Sequence, residues 1–275
     1  MRYVEGCAAS GETPAKSMRR LILEEPVSAA AIWGRRLVIF ALALTPIAIL
    51  MTRSRMVDAT ASLAVFGAAL GFVCFAVLFS LAGAVVIWRT GRRGAGTVVG
   101  TLFLALLLLA FPAYLAIEAT RLPPINDVST DLIDPPEFAR SARARAERRG
   151  LEHGLLSEAS REAQRISYPV VQPILIDVEA DEAWTLVQKA VAARGWRVIE
   201  QSRPGGRSGI GRIEAVDRTL IMGFSDDVTI RVRPLAGQTR IDVRSASRIG
   251  RHDFGANARR IQNFARDLQV QLDAR

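Results

Sequence analysis

The sequence has only two cysteines and two histidines in 275 residues. Both cysteines, Cys7 and Cys74, lie before residue 120, so the C-terminal half has neither a disulfide framework nor thiol chemistry. So few soft ligands also argue against a zinc site, and no metal or cofactor is expected. Lysine is nearly missing: Lys16 and Lys189 stand beside 34 arginines among 36 basic residues. The net charge of +9 is dispersed, with 11 cations against 6 acids in residues 1–120 and 25 against 21 in residues 121–275. Nucleic-acid binding needs cations clustered against phosphates, so no nucleic-acid partner is expected.

Charge of either sign is absent from residues 37–52, 59–88 and 94–117, runs of 16, 30 and 24 residues. A bilayer core of about 30 Å takes roughly 20 apolar residues as helix, so the second and third runs qualify outright. The first is short, but Arg35, Arg36, Arg53 and Arg55 bracket it and can snorkel, with Trp33 as an interfacial anchor. A signal sequence is the alternative for that run; Pro46 and the lack of a small-residue cleavage site speak against it. The expectation is a three-helix membrane anchor over 37–117. It has no intramembrane ionisable group, which excludes a proton path of the usual kind. Gly67 and Gly71 form a GxxxG that can bring helices close together.

Eight cations (Lys16, Arg19, Arg20, Arg35, Arg36, Arg89, Arg92 and Arg93) fall on one side of the alternating spans, and Arg53, Arg55 and Arg121 on the other. The positive-inside rule then makes residues 1–36 a cytoplasmic N-terminal segment and puts everything after residue 117 outside. Met18, which opens MRRLIL, is a second candidate translation start beside Met1.

Residues 118–167 read as a linker. The stretch LPPINDVSTDLIDPP favours an extended, turn-rich path, and 138–165 is rich in Ala, Arg and Glu, so any helix there is polar and marginal. Arg140, Arg143, Arg145, Arg148 and Arg149 read as a solvated helix face, with contact to anionic headgroups as the alternative, and His153 reads as a surface residue.

Residues 168–275 have the pattern of an α+β domain. A strand over 174–178 precedes a helix capped by Asp181, with Trp184, Val187 and Val191 on one side and Gly195 at its end. A strand over 196–201 follows, and the loop RPGGRSGIGR reads as a hairpin connection. Arg203, Arg207 and Arg212 among its glycines are the ingredients of a phosphate nest, but the GK[ST] ending is missing. Extended segments over 210–218 and 219–224 lead into a hairpin with Leu235 opposite Gln238. That register sets Ile230 against Val243 and Arg231 against Asp242. Ile261, Phe264, Leu268 and Leu272 then form the apolar stripe of a last helix from about Gly255, capped by Asp253 or Asn257. The expected fold is a membrane α region of three transmembrane helices plus an antiparallel sheet with two helices on one face.

Three motifs carry a resemblance: NDVSTD at 126–131, FSDDVTIRV at 224–232 and RSASRIGRHDFGANARRI at 244–261. Over about 123–272 the chain resembles the bacterial Domain of Unknown Function 1499 family. The resemblance implies a membrane-associated protein of the cell envelope, here in a bacterial inner (plasma) membrane with a periplasmic C-terminal domain, and implies no reaction.

The motifs also supply the candidate site. Asp226, Asp227, Arg231, Arg244, Arg248 and Asn257 are candidates for partner or ligand binding, with an Arg–Asp network as their structural reading. Ca²⁺ on Asp226, Asp227 and Asp253 is an alternative without a DxDxDG loop to support it. Two functions stand. The first is a non-catalytic envelope binding or assembly module that meets membrane lipids and an envelope protein or lipid ligand. It predicts a pocket walled by Trp184, Trp196, Ile230 and Phe264. The second is a hydrolase, with Ser245 or Ser247 in reach of His252 and with Asp253 as its carboxylate.

Overall fold

A computed structural model describes residues 26–54, 57–205 and 209–274. The expected features at Met1, Cys7, Lys16, Met18, Arg19, Arg20, Arg55, Gly206 and Arg207 lie outside the described residues.

Three long apolar helices come first: α1 (Ala29–Arg53), α2 (Ala59–Thr90) and α3 (Ala95–Arg121). Each is long enough to cross a membrane. They overrun the charge-free stretches because helical hydrogen bonding continues into the headgroup region, where Arg35, Arg36 and Glu118 can meet water. Only 17–22% of the most apolar window of each helix is buried within the protein, leaving the rest for lipid. Small residues set the helix contacts. A Cβ on Gly34 would stand 2.7 Å from Ser80 Oγ, and one on Gly83 would stand 3.0 Å from the Ala31 nitrogen. Gly67 and Gly71 are not the glycines used: a Cβ on either meets nothing within 4 Å.

The rest of the chain builds β1 (Asp127–Ser129), α4 (Ala142–Glu147), α5 (Glu158–Ser167), β2 (Ile174–Ile176), α6 (Ala180–Ala193), β3 (Arg197–Ser202), β4 (Gly211–Arg218), β5 (Ser225–Leu235), β6 (Gln238–Ser247) and α7 (Ala256–Asp273). The strands form one antiparallel sheet in the order β1-β6-β5-β4-β3, and β2 also pairs with β6. The β5–β6 register is the expected one, with Ile230 opposite Val243, Arg231 opposite Asp242 and Leu235 opposite Gln238. Its even period sends Val228, Ile230, Val232, Ile241 and Val243 to one face, where α6 and α7 cover them. Trp184, Ile261, Phe264 and Leu268 fill that layer, and Trp196 stacks on Phe264 at 5.5 Å.

Three local features differ from the sequence reading. The cap position of α6 is Glu179 and makes no side-chain bond, so Asp181 sits in the first turn, where its charge favours the helix dipole. Residues 219–224 are not extended; they close a turn in which Thr219 N donates to Phe224 O and Gly223 N to Thr219 O. Residues 118–167 do more than link. They supply β1, and residues 131–154 pack on the polar face of the sheet, because that face carries charges that need partners away from water. Ser141 and Ser157 cap the short α4 and α5 by accepting from Ala144 N and Ser160 N.

Gln164 of α5 completes the outer edge of β1. Its Oε1 accepts from Ser129 N at 3.1 Å and its Nε2 donates to Ser129 O at 2.6 Å, so one buried side chain stands in for a neighbouring strand. Gln164→Ala should leave both backbone groups unpaired and cost about 2 kcal/mol. Gln164→Glu, which keeps only the acceptor, should also destabilise. Thermal unfolding in micelles, followed by the fluorescence of Trp184 and Trp196, checks both; an unchanged melting temperature would exclude the clamp.

Candidate functional site

The six candidate binding residues divide between the two faces of the sheet, because neighbouring strand residues point opposite ways. Asp227, Arg231, Arg244 and Arg248 lie on the polar face. Arg231 donates from Nε and Nη2 to Asp242 Oδ2 at 3.1 and 2.9 Å and from Nη1 to Asp134 Oδ2 at 2.8 Å. Arg240 joins Asp242 Oδ1 to Asp131 Oδ2, at 2.9 and 2.5 Å. Arg244 holds Asp127 through two nitrogens at 3.0 and 2.7 Å and lies 4.9 Å over the Phe138 ring. Arg248 grips Asp227 in the same bidentate way, and His153 Nε2 lies 2.7 Å from Asp227 Oδ2.

His153 is thus a buried partner of a motif aspartate. The surface reading failed because the acid that draws it in lies 74 positions away in sequence. Arg148 corrects the solvated-face reading in the same way: it is buried, and its Nη1 donates to Glu214 Oε1 at 2.6 Å. Arg140, Arg145 and Arg149 do remain exposed.

Asp226 and Asn257 lie on the opposite, helix-covered face. Arg260 of α7, which the sequence reading did not single out, is the centre here. It donates to Asp226 Oδ2 at 2.5 Å, Asp217 Oδ2 at 2.6 Å, Asn257 Oδ1 at 2.5 Å and Ser245 Oγ at 3.0 Å. Asn257 also receives the Ser245 hydroxyl at 2.7 Å and donates to Asn126 O and Ser247 Oγ at 2.9 and 3.0 Å. The only hint of Arg260 in the sequence was its place one helical turn after Asn257.

The hydrolytic candidates are close in sequence and separate in their bonding. Ser245 and Ser247 are engaged by Asn257 and Arg260, whereas His252 Nδ1 accepts from Phe254 N at 2.9 Å and its ring stacks on Phe254. Among the described residues no hydrogen bond joins either serine to His252. The cap position of α7 is Gly255, not Asp253 or Asn257; Asp253 stands two residues before it and receives Gly255 N at 2.8 Å and Asn257 N at 2.9 Å. Asp226 and Asp227 project to opposite faces, so they and Asp253 are not brought together around one cation.

Burial and pairing compete at these carboxylates. Burial pushes the Asp227 carboxyl up, but hydrogen bonds from His153 and Arg248 outweigh it and hold the group below the ordinary aspartate value. At Asp226 burial wins over Arg260, and the value is raised. Burial pushes Glu214 up to about 7, against a backbone bond from Ala139 and the charge of Arg148.

The expected apolar pocket is filled, since Trp184, Ile230 and Phe264 are close-packed core. Trp196 alone borders a depression, of about 210 Å³. A cleft of about 680 Å³ opens instead between residues 130–134 and 164–173, where the sequence reading placed none. Leu132, Ile133, Tyr168 and Val171 supply apolar wall, and Asp131 and Arg240 supply a charged end. Burial, with Asp253 second, pushes the Tyr168 hydroxyl up to about 12, so it stays protonated.

The profile of the family described as Protein of unknown function (DUF1499) matches residues 127–268, just over half of the chain. The chain belongs to the DUF1499 family. Among curated proteins, none matches this DUF1499 chain. The matched region begins at the first residue of β1 and ends within α7, so it takes in the whole sheet and both of its faces and leaves out the membrane spans.

Glu214 provides a pH test of the polar face. A folded-state value of about 7, against an ordinary 4.5, means that the folded domain binds this proton more tightly than the unfolded chain. The stability Glu214 contributes is therefore full below pH 4.5 and is lost as pH rises through about 7. Unfolding free energy measured across that window should fall in the wild type and run flatter in Glu214→Gln; parallel curves would rule out the buried proton.

Proposed function

We propose that this DUF1499 protein is a non-catalytic binding or assembly module of the cell envelope. Its N-terminus is cytoplasmic, its α+β domain lies on the outer side of a bacterial inner membrane, and the cleft between residues 130–134 and 164–173 is its binding site. The observation that carries this reading is the cleft itself. It pairs apolar wall with a converging carboxylate and guanidinium, Asp131 and Arg240, as small-molecule and peptide sites do. By contrast, the serines that a hydrolase would need are tied into the packing of α7. The ligand that fits is an apolar chain with a polar end, which an envelope lipid or a segment of an envelope protein can supply.

A photo-crosslinking residue at Ile133 or Gln172 of the full chain in its native membrane should give a discrete lipid or protein adduct. The same residue at Leu235, in the distal β5–β6 turn, should give none. Ester hydrolysis by the purified protein, abolished by both Ser245→Ala and His252→Ala, would replace this reading with the hydrolase.

Orientation is checked separately. Alkaline phosphatase fused after Asp273 should be active, and the same enzyme placed in the α2–α3 loop near Arg92 should be inactive. The reverse pattern would invert the topology.

A further inference from the structure

The turn between β4 and β5 has the sequence RTLIMGF at 218–224, with one arginine, four apolar side chains and no acid. It is closed by hydrogen bonds from Thr219 N to Phe224 O, from Gly223 N to Thr219 O and from Phe224 N to Thr219 Oγ1. Leu220 stands at its tip, 89% exposed, with Ile221 exposed beside it. Ordered, outward-pointing apolar residues on a closed turn are an interaction surface, and what covers them depends on where the turn sits.

Arg53 places it. This last residue of α1 donates through Nη1 to the carbonyls of Leu220 and Ile221. The backbones are also close: a Cβ on Gly223, whose φ is +69°, would stand 3.4 Å from Arg53 Cα. One helical turn earlier on α1, Leu50 is exposed on the side of a helix long and apolar enough to span a bilayer. The turn is therefore pinned beside the end of a span, at the depth where acyl chains give way to headgroups. A second tie, Arg149 to Asp58 at 3.6 Å, joins the end of α4 to the start of α2 across a cleft of about 320 Å³.

We propose that the β4–β5 turn is a membrane-docking wedge: Leu220 and Ile221 insert into the leaflet at the α1/α2 end of the anchor, with Arg53 setting their depth. The occupant of this surface is phospholipid. Arg53 and Arg218 flank the apolar tip and suit the phosphate layer, and the turn has no carboxylate to oppose it. The wedge holds the sheet at a fixed attitude to the bilayer, which the single chain connection from α3 to β1 would not do by itself.

The test uses the full chain in vesicles of phosphatidylethanolamine and phosphatidylglycerol, in a Cys7→Ala, Cys74→Ala background. A nitroxide is attached at Leu220→Cys, and reference labels at Phe75→Cys in α2 and Leu235→Cys in the distal turn. Relaxation by dissolved oxygen and by a water-soluble nickel chelate gives the depth. The expected result at 220 is an oxygen-to-nickel ratio several-fold above that at 235 and approaching that at 75. A ratio equal to that at 235 overturns the proposal, and so does shielding from both reagents, which would mean that protein covers the turn. Arg53→Ala should lower the ratio at 220 while tryptophan fluorescence reports an intact domain; an unchanged ratio would overturn the role of Arg53.

Discussion

Burying a row of charges on the second face of a sheet is the constraint on which the rest of this domain depends. Antiparallel sheets commonly leave one face to water. Here β5 and β6 turn Asp227, Arg231, Asp242 and Arg244 toward a face that residues 130–157 close over. An unpaired charge in such a place costs several kcal/mol, so each has a partner, and the covering segment supplies many of those partners: Asp131, Asp134, Arg148 and His153. Removing one member strands another, at about 3–5 kcal/mol, although the network as a whole adds little stability compared with an apolar layer. The path of the covering segment is the one that brings Asp131, Asp134, Arg148 and His153 to these partners, and its first residues, 130–134, shape one wall of the cleft.

The same constraint links the domain to the anchor. The chain passes from α3 into β1 within a few residues, Leu122 packs against the core, and Asn126 accepts from both Ser247 N and Asn257 Nδ2. Strand β1 is thus held at one end by a membrane span, along one side by β6 and along the other by the side chain of Gln164. With Arg53 and Arg149 adding ties at the ends of α1 and α2, the domain meets the three-helix region at several points.

Legibility in the sequence followed the range of the interaction. The three spans, the β5–β6 register and the apolar stripe of α7 all rest on spacings within one element or one hairpin, and they were readable. The motif residues were readable as a set, but not their division between two faces with different partners. Arg260, Glu214 and Gln164 escaped notice, and His153 was misplaced at the surface, because each matters through a residue 34 to 74 positions away. The expected pocket at Trp184 and Phe264 was apolar in composition, but composition does not distinguish a lined cavity from a filled core.

By itself the sequence determined that this protein has an apolar three-helix region, an α+β domain and a hairpin of known parity, since hydrophobic period and charge-free length act along the chain. Only the tertiary structure decided which charges became buried pairs, which glycines met a neighbouring helix and where a cleft remained. Those outcomes depend on segments distant in sequence competing for the same space and the same hydrogen bonds.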